Sequence, residues 1–171
     1  MRLLRGFFLL IAVLCALALA GLWAVHKNSS IRTEIWINSP PDRVWSVLTD
    51  TAAYPVWNPL ITHLDGDLRE GNTIRFTQGS GPDAMTFQPR ILRARPATEL
   101  VWKGSLWMPG IFDAERHFQL GGQGSGTHFI QSESFSGLLA GKLTADAIQA
   151  TEQGMRSMNA ALKARAEMPT Y

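Results

Sequence analysis

LLAGKLTADAIQATEQGMRSMNAALKARAE, residues 138–167, is thirty residues long and free of proline. Within it Leu143, Ala147, Ile148, Thr151, Met155, Met158 and Leu162 recur mostly at spacings of three and four. That period predicts one long amphipathic helix with a single apolar stripe. Gly141 and Gly154 each weaken such a helix by about 1 kcal/mol relative to alanine. The room they leave suits either a neighbouring strand or a ligand.

A helix with one apolar stripe must bury it against another layer, and the chain ahead of it supplies strands. Ile31 to Asn38 alternates, with Ile31, Ile35 and Ile37 on one side. Ser39 then stands as an N-cap before Pro40-Pro41, and Pro41 to Leu48 reads as a short helix. Two prolines break Thr49 to Pro59 into a helix-turn segment carrying Tyr54 and Trp57. Six strand candidates follow: Leu60–Leu68, Thr73–Gln78, Met85–Ala94, Glu99–Lys103, Ile111–Leu120 and Gly126–Ser136, separated by Gly- and Pro-bearing turns. The expected fold class is α+β, a curved antiparallel sheet wrapped around the long C-terminal helix.

The first 27 residues are different. They hold Arg2, Arg5 and Lys27 and no acid, so a chain of net charge +2 carries −1 from residue 28 onward. The basic balance belongs to the N-terminus, and a nucleic-acid face is not indicated. Gly6 to Val25 is an uncharged run of twenty residues, long enough as a helix to cross a bilayer. Residues 1–5 are then a basic N-terminus, 6–25 a transmembrane anchor, 26–30 a linker and 31–167 the folded domain. Ala18-Leu19-Ala20 offers the competing choice, a cleaved signal peptide. The apolar residues beyond Ala20 favour the anchor; Arg2 and Arg5 are balanced by Lys27 and Arg32, and the initiator amine tips the orientation towards a domain on the non-cytoplasmic side. Cleavage would instead leave it secreted or periplasmic. Cys15 is the only cysteine, so no intrachain disulfide can form.

Ser39-Pro40-Pro41-Asp42-Arg43-Val44-Trp45-Ser46-Val47-Leu48-Thr49-Asp50, followed by Tyr54-Pro55-Val56-Trp57-Asn58-Pro59, resembles the opening of the START-like superfamily, also called SRPBCC. That superfamily includes polyketide cyclase-like proteins, lipid-transfer domains and the birch pollen allergen. Leu100-Val101-Trp102-Lys103-Gly104, Gly110-Ile111-Phe112-Asp113, Phe118-Gln119-Leu120, Gly124-Ser125-Gly126-Thr127 and Met158-Asn159-Ala160-Ala161-Leu162-Lys163 fit the same pattern. The likeness spans about residues 31–166. It implies a helix-grip fold with an apolar cavity between sheet and helix, and it leaves function open, because that fold hosts binders and enzymes alike.

Few residues carry chemistry. No Gly-x-Ser-x-Gly elbow occurs, and Gly121 to Gly126 lacks the lysine of a phosphate loop and suits a hairpin turn. His63, His117 and His128 have no metal-ligand spacing and read as surface strand residues. No catalytic residue, metal or cofactor is expected. Alternation places Phe112, Ala114, Arg116, Phe118 and Leu120 inward, and Thr127, Phe129, Gln131, Glu133 and Phe135 inward on the next strand. Pairing Leu120 with Thr127 would set Arg116 opposite Gln131 and diagonal to Glu133. An inward arginine needs a partner. Arg116 and Glu133 are then a self-satisfied pair, a polar anchor for a ligand, or, with Glu133 as base, part of an enzyme. The loop Trp107-Met108-Pro109-Gly110 suits a lid over a pocket mouth or a bilayer contact. The expected ligand-contacting residues are Trp57, Phe87, Trp102, Trp107, Phe112, Arg116, Phe129, Glu133 and Met155. The expected function is a membrane-tethered domain holding a hydrophobic small molecule or lipid. A cyclase or dehydratase stands second, and an interaction module with a collapsed pocket third.

Overall fold

The computed structural model describes residues 29–169. The Gly6–Val25 segment lies outside them; among the described residues no helix is long and apolar enough to cross a membrane. Strand β1 (Ser29–Ile37) is followed by helix α1 (Pro41–Thr49), a 3₁₀ turn (Thr51–Ala53) and the short helix α2 (Tyr54–Trp57). Strands β2 (Ile61–Asp65), β3 (Arg75–Gln78), β4 (Met85–Phe87), β5 (Arg90–Arg95), β6 (Glu99–Leu106), β7 (Phe112–Gln123) and β8 (Gly126–Ser136) come next. The long helix α3 (Ala145–Ala166) closes the domain. This is the helix-grip arrangement, α+β, with the sheet folded around α3.

The strands form two antiparallel sheets, β1-β8-β7-β6-β5 and β2-β3-β4. The segment expected as one strand, Met85–Ala94, is where they divide. Pro89 has no N–H to give a ladder, so the strand breaks there, with β4 in the small sheet and β5 in the large one. The sheets stay joined at the break: Thr73 bridges Arg90, and the Ile74 N–H donates to the Pro89 carbonyl at 3.0 Å. Alternation holds elsewhere. Ile31, Thr33 and Ile37 of β1 are buried and Arg32 and Glu34 exposed, as period two requires.

The helix starts later than its apolar spacing suggests. Residues 140–142 make a separate 3₁₀ turn, and Thr144 caps α3 by accepting from the Ala147 N–H at 3.2 Å. Gly141 therefore lies outside the helix, and Leu143 packs on the core from ahead of it. Gly154 does sit in α3, and a Cβ there would come within 2.7 Å of Leu60 Cδ1. Its missing side chain admits a protein residue, not a ligand. Ser39 is also a correction: α1 begins after Pro40 with no side-chain cap, and Ser39 Oγ donates instead to the Ala166 carbonyl at 3.2 Å.

That bond belongs to a clamp on the C-terminal end of α3. The Asn38 N–H donates to Glu167 Oε1 at 2.6 Å, Lys163 Nζ donates to the Trp36 carbonyl at 2.9 Å, and Asn159 Nδ2 donates to Thr33 Oγ1 at 2.9 Å. Lys163 also bonds Glu167, and these contacts hold the Glu167 carboxyl below its ordinary pKa range. Around the clamp Ile37, Val44, Leu48, Phe129, Met158 and Leu162 form a solid core.

Candidate functional site

The β7–β8 hairpin builds the site. Gln123 pairs with Gly126 around a two-residue turn in which Gly124 takes φ +59°, a conformation glycine adopts at no steric cost. This turn sets Leu120 opposite Phe129 and Arg116 opposite Glu133. The expected register is off by two residues, because the strands run on through Gln123. A shift of two preserves every inward position, and it brings the two charged residues into direct apposition. Arg116 Nη2 donates to Glu133 Oε2 at 2.6 Å, with both residues buried. Nε and Nη1 of Arg116 are buried and have no hydrogen-bond partner among the described residues. Tyr54 lies close enough for the Arg116 charge to act on it. Burial pushes the Tyr54 phenol above its ordinary range and Arg116 opposes that only in part, so Tyr54 stays neutral and donates to the Leu48 carbonyl at 2.8 Å.

A cavity of about 240 Å³ opens on the Arg116–Glu133 pair. Its walls are Trp102, Phe112, Ala114 and Phe135 of the large sheet, Phe76 and Phe87 of the small sheet, and Leu143 and Thr151 from the helix side. Trp102 is wedged between Phe76 and Phe118, with ring centroids at 5.8 and 4.8 Å. Met85 and Ser105, both exposed, mark the mouth. The lining is mostly apolar with one charged pair, the usual chemistry of a small-molecule pocket. Its volume lies just below the ~300–1,000 Å³ of drug-sized sites.

Five of the nine expected contact residues, Phe87, Trp102, Phe112, Arg116 and Glu133, meet at this cavity. The other four do not line it. Phe129 and Met155 are fully buried in the core; at the hairpin end of the sheet, towards which Phe129 lies, Pro41 of α1 packs on Gly122. Trp57 stacks edge-on against Tyr54 at 5.1 Å, beside Arg43 and Arg165 on another face. Trp107 stands 79% exposed beyond the mouth. Phe76, Leu143 and Thr151 line the cavity without having been singled out as contacts, although Leu143 and Thr151 belong to the apolar stripe of residues 138–167.

Asp113 falls by alternation on the face opposite Phe112, Ala114 and Arg116, and it is nevertheless buried. It accepts from Ser105 Oγ at 2.6 Å and from the Gly110 N–H at 3.1 Å, and pairs with Lys103 at 3.2 Å. Burial raises its pKa, but the bonds from Ser105, Gly110 and Lys103 outweigh that, so the carboxyl sits below its ordinary range. Its job is to fold the Trp107–Gly110 loop back onto the strand ends. The three strand histidines each sit beside a surface acid: His63 with Asp65, His117 with Glu115, His128 with Glu34.

A family model described as polyketide cyclase / dehydrase and lipid transport matches residues 29–167. No curated protein matches the chain. Among solved structures, the ZhuI aromatase/cyclase from Streptomyces sp. R1128 is similar with TM-score 0.65 and 19% identity, covering 82% of this chain and 94% of its own. Protein MLL2253 from Mesorhizobium loti aligns with TM-score 0.64 and 18% identity over 84% of this chain and 100% of that one. Hypothetical protein jhp0584 from Helicobacter pylori aligns with TM-score 0.69 and 13% identity, over 81% and 88%. At such identities the likeness concerns the fold.

Proposed function

The chain belongs to the polyketide cyclase / dehydrase and lipid transport family, and from that premise we propose that it is a membrane-tethered domain that binds an apolar small molecule in the cavity beneath α3. One observation carries this: a buried arginine on the cavity wall pairs with Glu133 through Nη2, and its Nε and Nη1 have no partner among the described residues. Buried N–H groups without partners cost about 1–3 kcal/mol each, and a ligand oxygen would relieve that cost. Aromatic walls would bury the apolar body, and Arg116 would orient its polar end. Phe87, Trp102, Phe112 and Glu133 are the contacts proposed beside it. Gly6 to Val25 is the proposed anchor, with the domain on the non-cytoplasmic side.

An enzyme of the cyclase or dehydratase type is the second reading, favoured by Glu133 reaching the cavity opposite an arginine that could polarise a carbonyl. Among the described residues Glu133 is the only acid lining it, so a second proton carrier from that set is missing and would have to come from the ligand or water. The test is native mass spectrometry of the full chain in lipid nanodiscs, with displacement of an apolar fluorescent probe. A co-purifying apolar molecule displaced by the probe supports binding. A folded chain that takes up neither overturns it. Glu133→Gln that keeps the ligand but blocks its conversion would establish the enzyme.

A further inference from the structure

Met85, 50% exposed, lines the cavity, and three more exposed apolar side chains, Trp107 at 79%, Met108 at 63% and Leu138 at 39%, sit on the segments that adjoin the lining residues Leu106, Phe112 and Phe135. Such a cluster on a small domain marks a contact surface. It is held out by firm structure. Trp107 adopts φ +65°, which is costly for a bulky residue, and the Met108 N–H closes onto the Leu106 carbonyl at 3.0 Å. Asp113 fixes Gly110, and the Leu138 N–H bonds the Gly110 carbonyl at 3.0 Å. Gly137, at φ +105°, lies so close beneath that a Cβ would meet the Ile111 and Gly110 carbonyl oxygens at 2.7 and 2.8 Å. The fold therefore spends conformational strain to present Trp107 and Met108 to the outside.

The strand register says which outside this is. Ser29 pairs with Phe135, Phe135 with Ala114, and Asp113 with Ser105. The chain thus enters the fold at the same end of the sheet from which Trp107 and Met108 project. Only residues 26–28 separate Ser29 from the apolar run ending at Val25. Those four steps reach at most about 14 Å. With Gly6–Val25 in a bilayer, that end of the domain is held against the membrane, and indole rings favour the interfacial layer.

We propose that Trp107, Met108 and Leu138, with Met85 at the rim, form a bilayer-docking tip that sets the cavity mouth on the lipid surface, so that an apolar ligand passes between membrane and cavity without crossing water. This rests on the anchor proposed above. It goes further in naming the lipid interface as the partner of a particular surface.

The full chain, with Cys15→Ser and one new cysteine at Met108 or at Ser125, would carry an environment-sensitive NBD label in phosphatidylcholine vesicles. Ser125 lies in the β7–β8 turn, about 35 Å away along the strands. The expected result is blue-shifted emission at position 108, quenched by lipids doxyl-labelled near the headgroup, with position 125 little affected. Vesicle flotation separates the two ideas. A chain that floats with position 108 unquenched overturns the tip and leaves the anchor standing, whereas a chain that does not float overturns both. Shielding at 108 that follows chain density and ignores doxyl lipid would mean a second copy covers the tip, which also overturns the proposal.

Discussion

Arg116 and Glu133 face each other across the central pair of strands, and their single 2.6 Å contact leaves the arginine with more donors than the glutamate engages. The pair is electrically balanced yet short of hydrogen bonds. Buried donors of this kind are ordinarily met by a further protein group, a water or a ligand.

Removing one member of the pair leaves the other charge buried and alone. Arg116→Leu or Glu133→Leu should each cost about 3–5 kcal/mol, read by urea unfolding. The double variant Arg116→Met/Glu133→Leu should be far less destabilised than the two single losses added together. Strict additivity would mean the charges act independently.

Ala114 lines the cavity between Arg116 and the mouth. Ala114→Leu should fill much of the space and abolish uptake of an apolar probe, while stability changes by less than about 2 kcal/mol. Probe titration and unfolding on the same sample test this. Unchanged uptake would place the ligand elsewhere.

The Asp113 carboxyl is held below its ordinary pKa, so its stabilising effect is full above about pH 4, the value for an unfolded aspartate, and is lost as pH falls through the lower folded value. Asp113→Asn should flatten that part of the acid limb, and in the wild type the loss below about pH 4 should coincide with a change in Trp107 fluorescence. An acid limb identical in both proteins would assign the effect to other carboxyls.

Gly154 can be tested through its neighbour. Gly154→Ala should not stabilise the wild type, because Leu60 occupies the space. With Leu60→Ala already in place, the same change should recover up to about 1 kcal/mol of helix propensity. An equal gain in both backgrounds would show that Leu60 yields freely.

Face assignments along the last two strands were legible in the sequence because side-chain direction has period two, and an error of two residues in register leaves it intact. The pairing partner was not legible, since it depends on where the hairpin turns. Gly121, Gly122, Gly124 and Gly126 all offered themselves, and only Gly124 sits in the turn with positive φ. The Pro89 break carried a plain signal, a proline inside a strand, that alternation alone passes over. Phe129 and Met155 show the limit for the site. A periodic pattern separates inside from outside, and cannot separate the filled end of an interior from its hollow end. That division depends on α1 packing across the hairpin, a contact between distant segments. Asp113 was missed because outward positions are ordinarily wet, although its place three residues after Gly110 is a position from which a carboxylate can reach back to a turn N–H.

The bonds gathered at Asn38, Ser39, Asn159, Lys163 and Glu167 make α3 a cantilever. One end is bolted to β1 and to the start of α1; the other, from Ala145 to Gly154, overhangs the cavity with Thr151 and the preceding Leu143 as its underside. A beam fixed in this way pivots at its root, so a slight tilt produces its greatest displacement at the overhanging tip. A guest too large for the 240 Å³ hollow would press on the Ala145–Gly154 end, which carries none of these bonds to β1, and not on the solid core around Leu162.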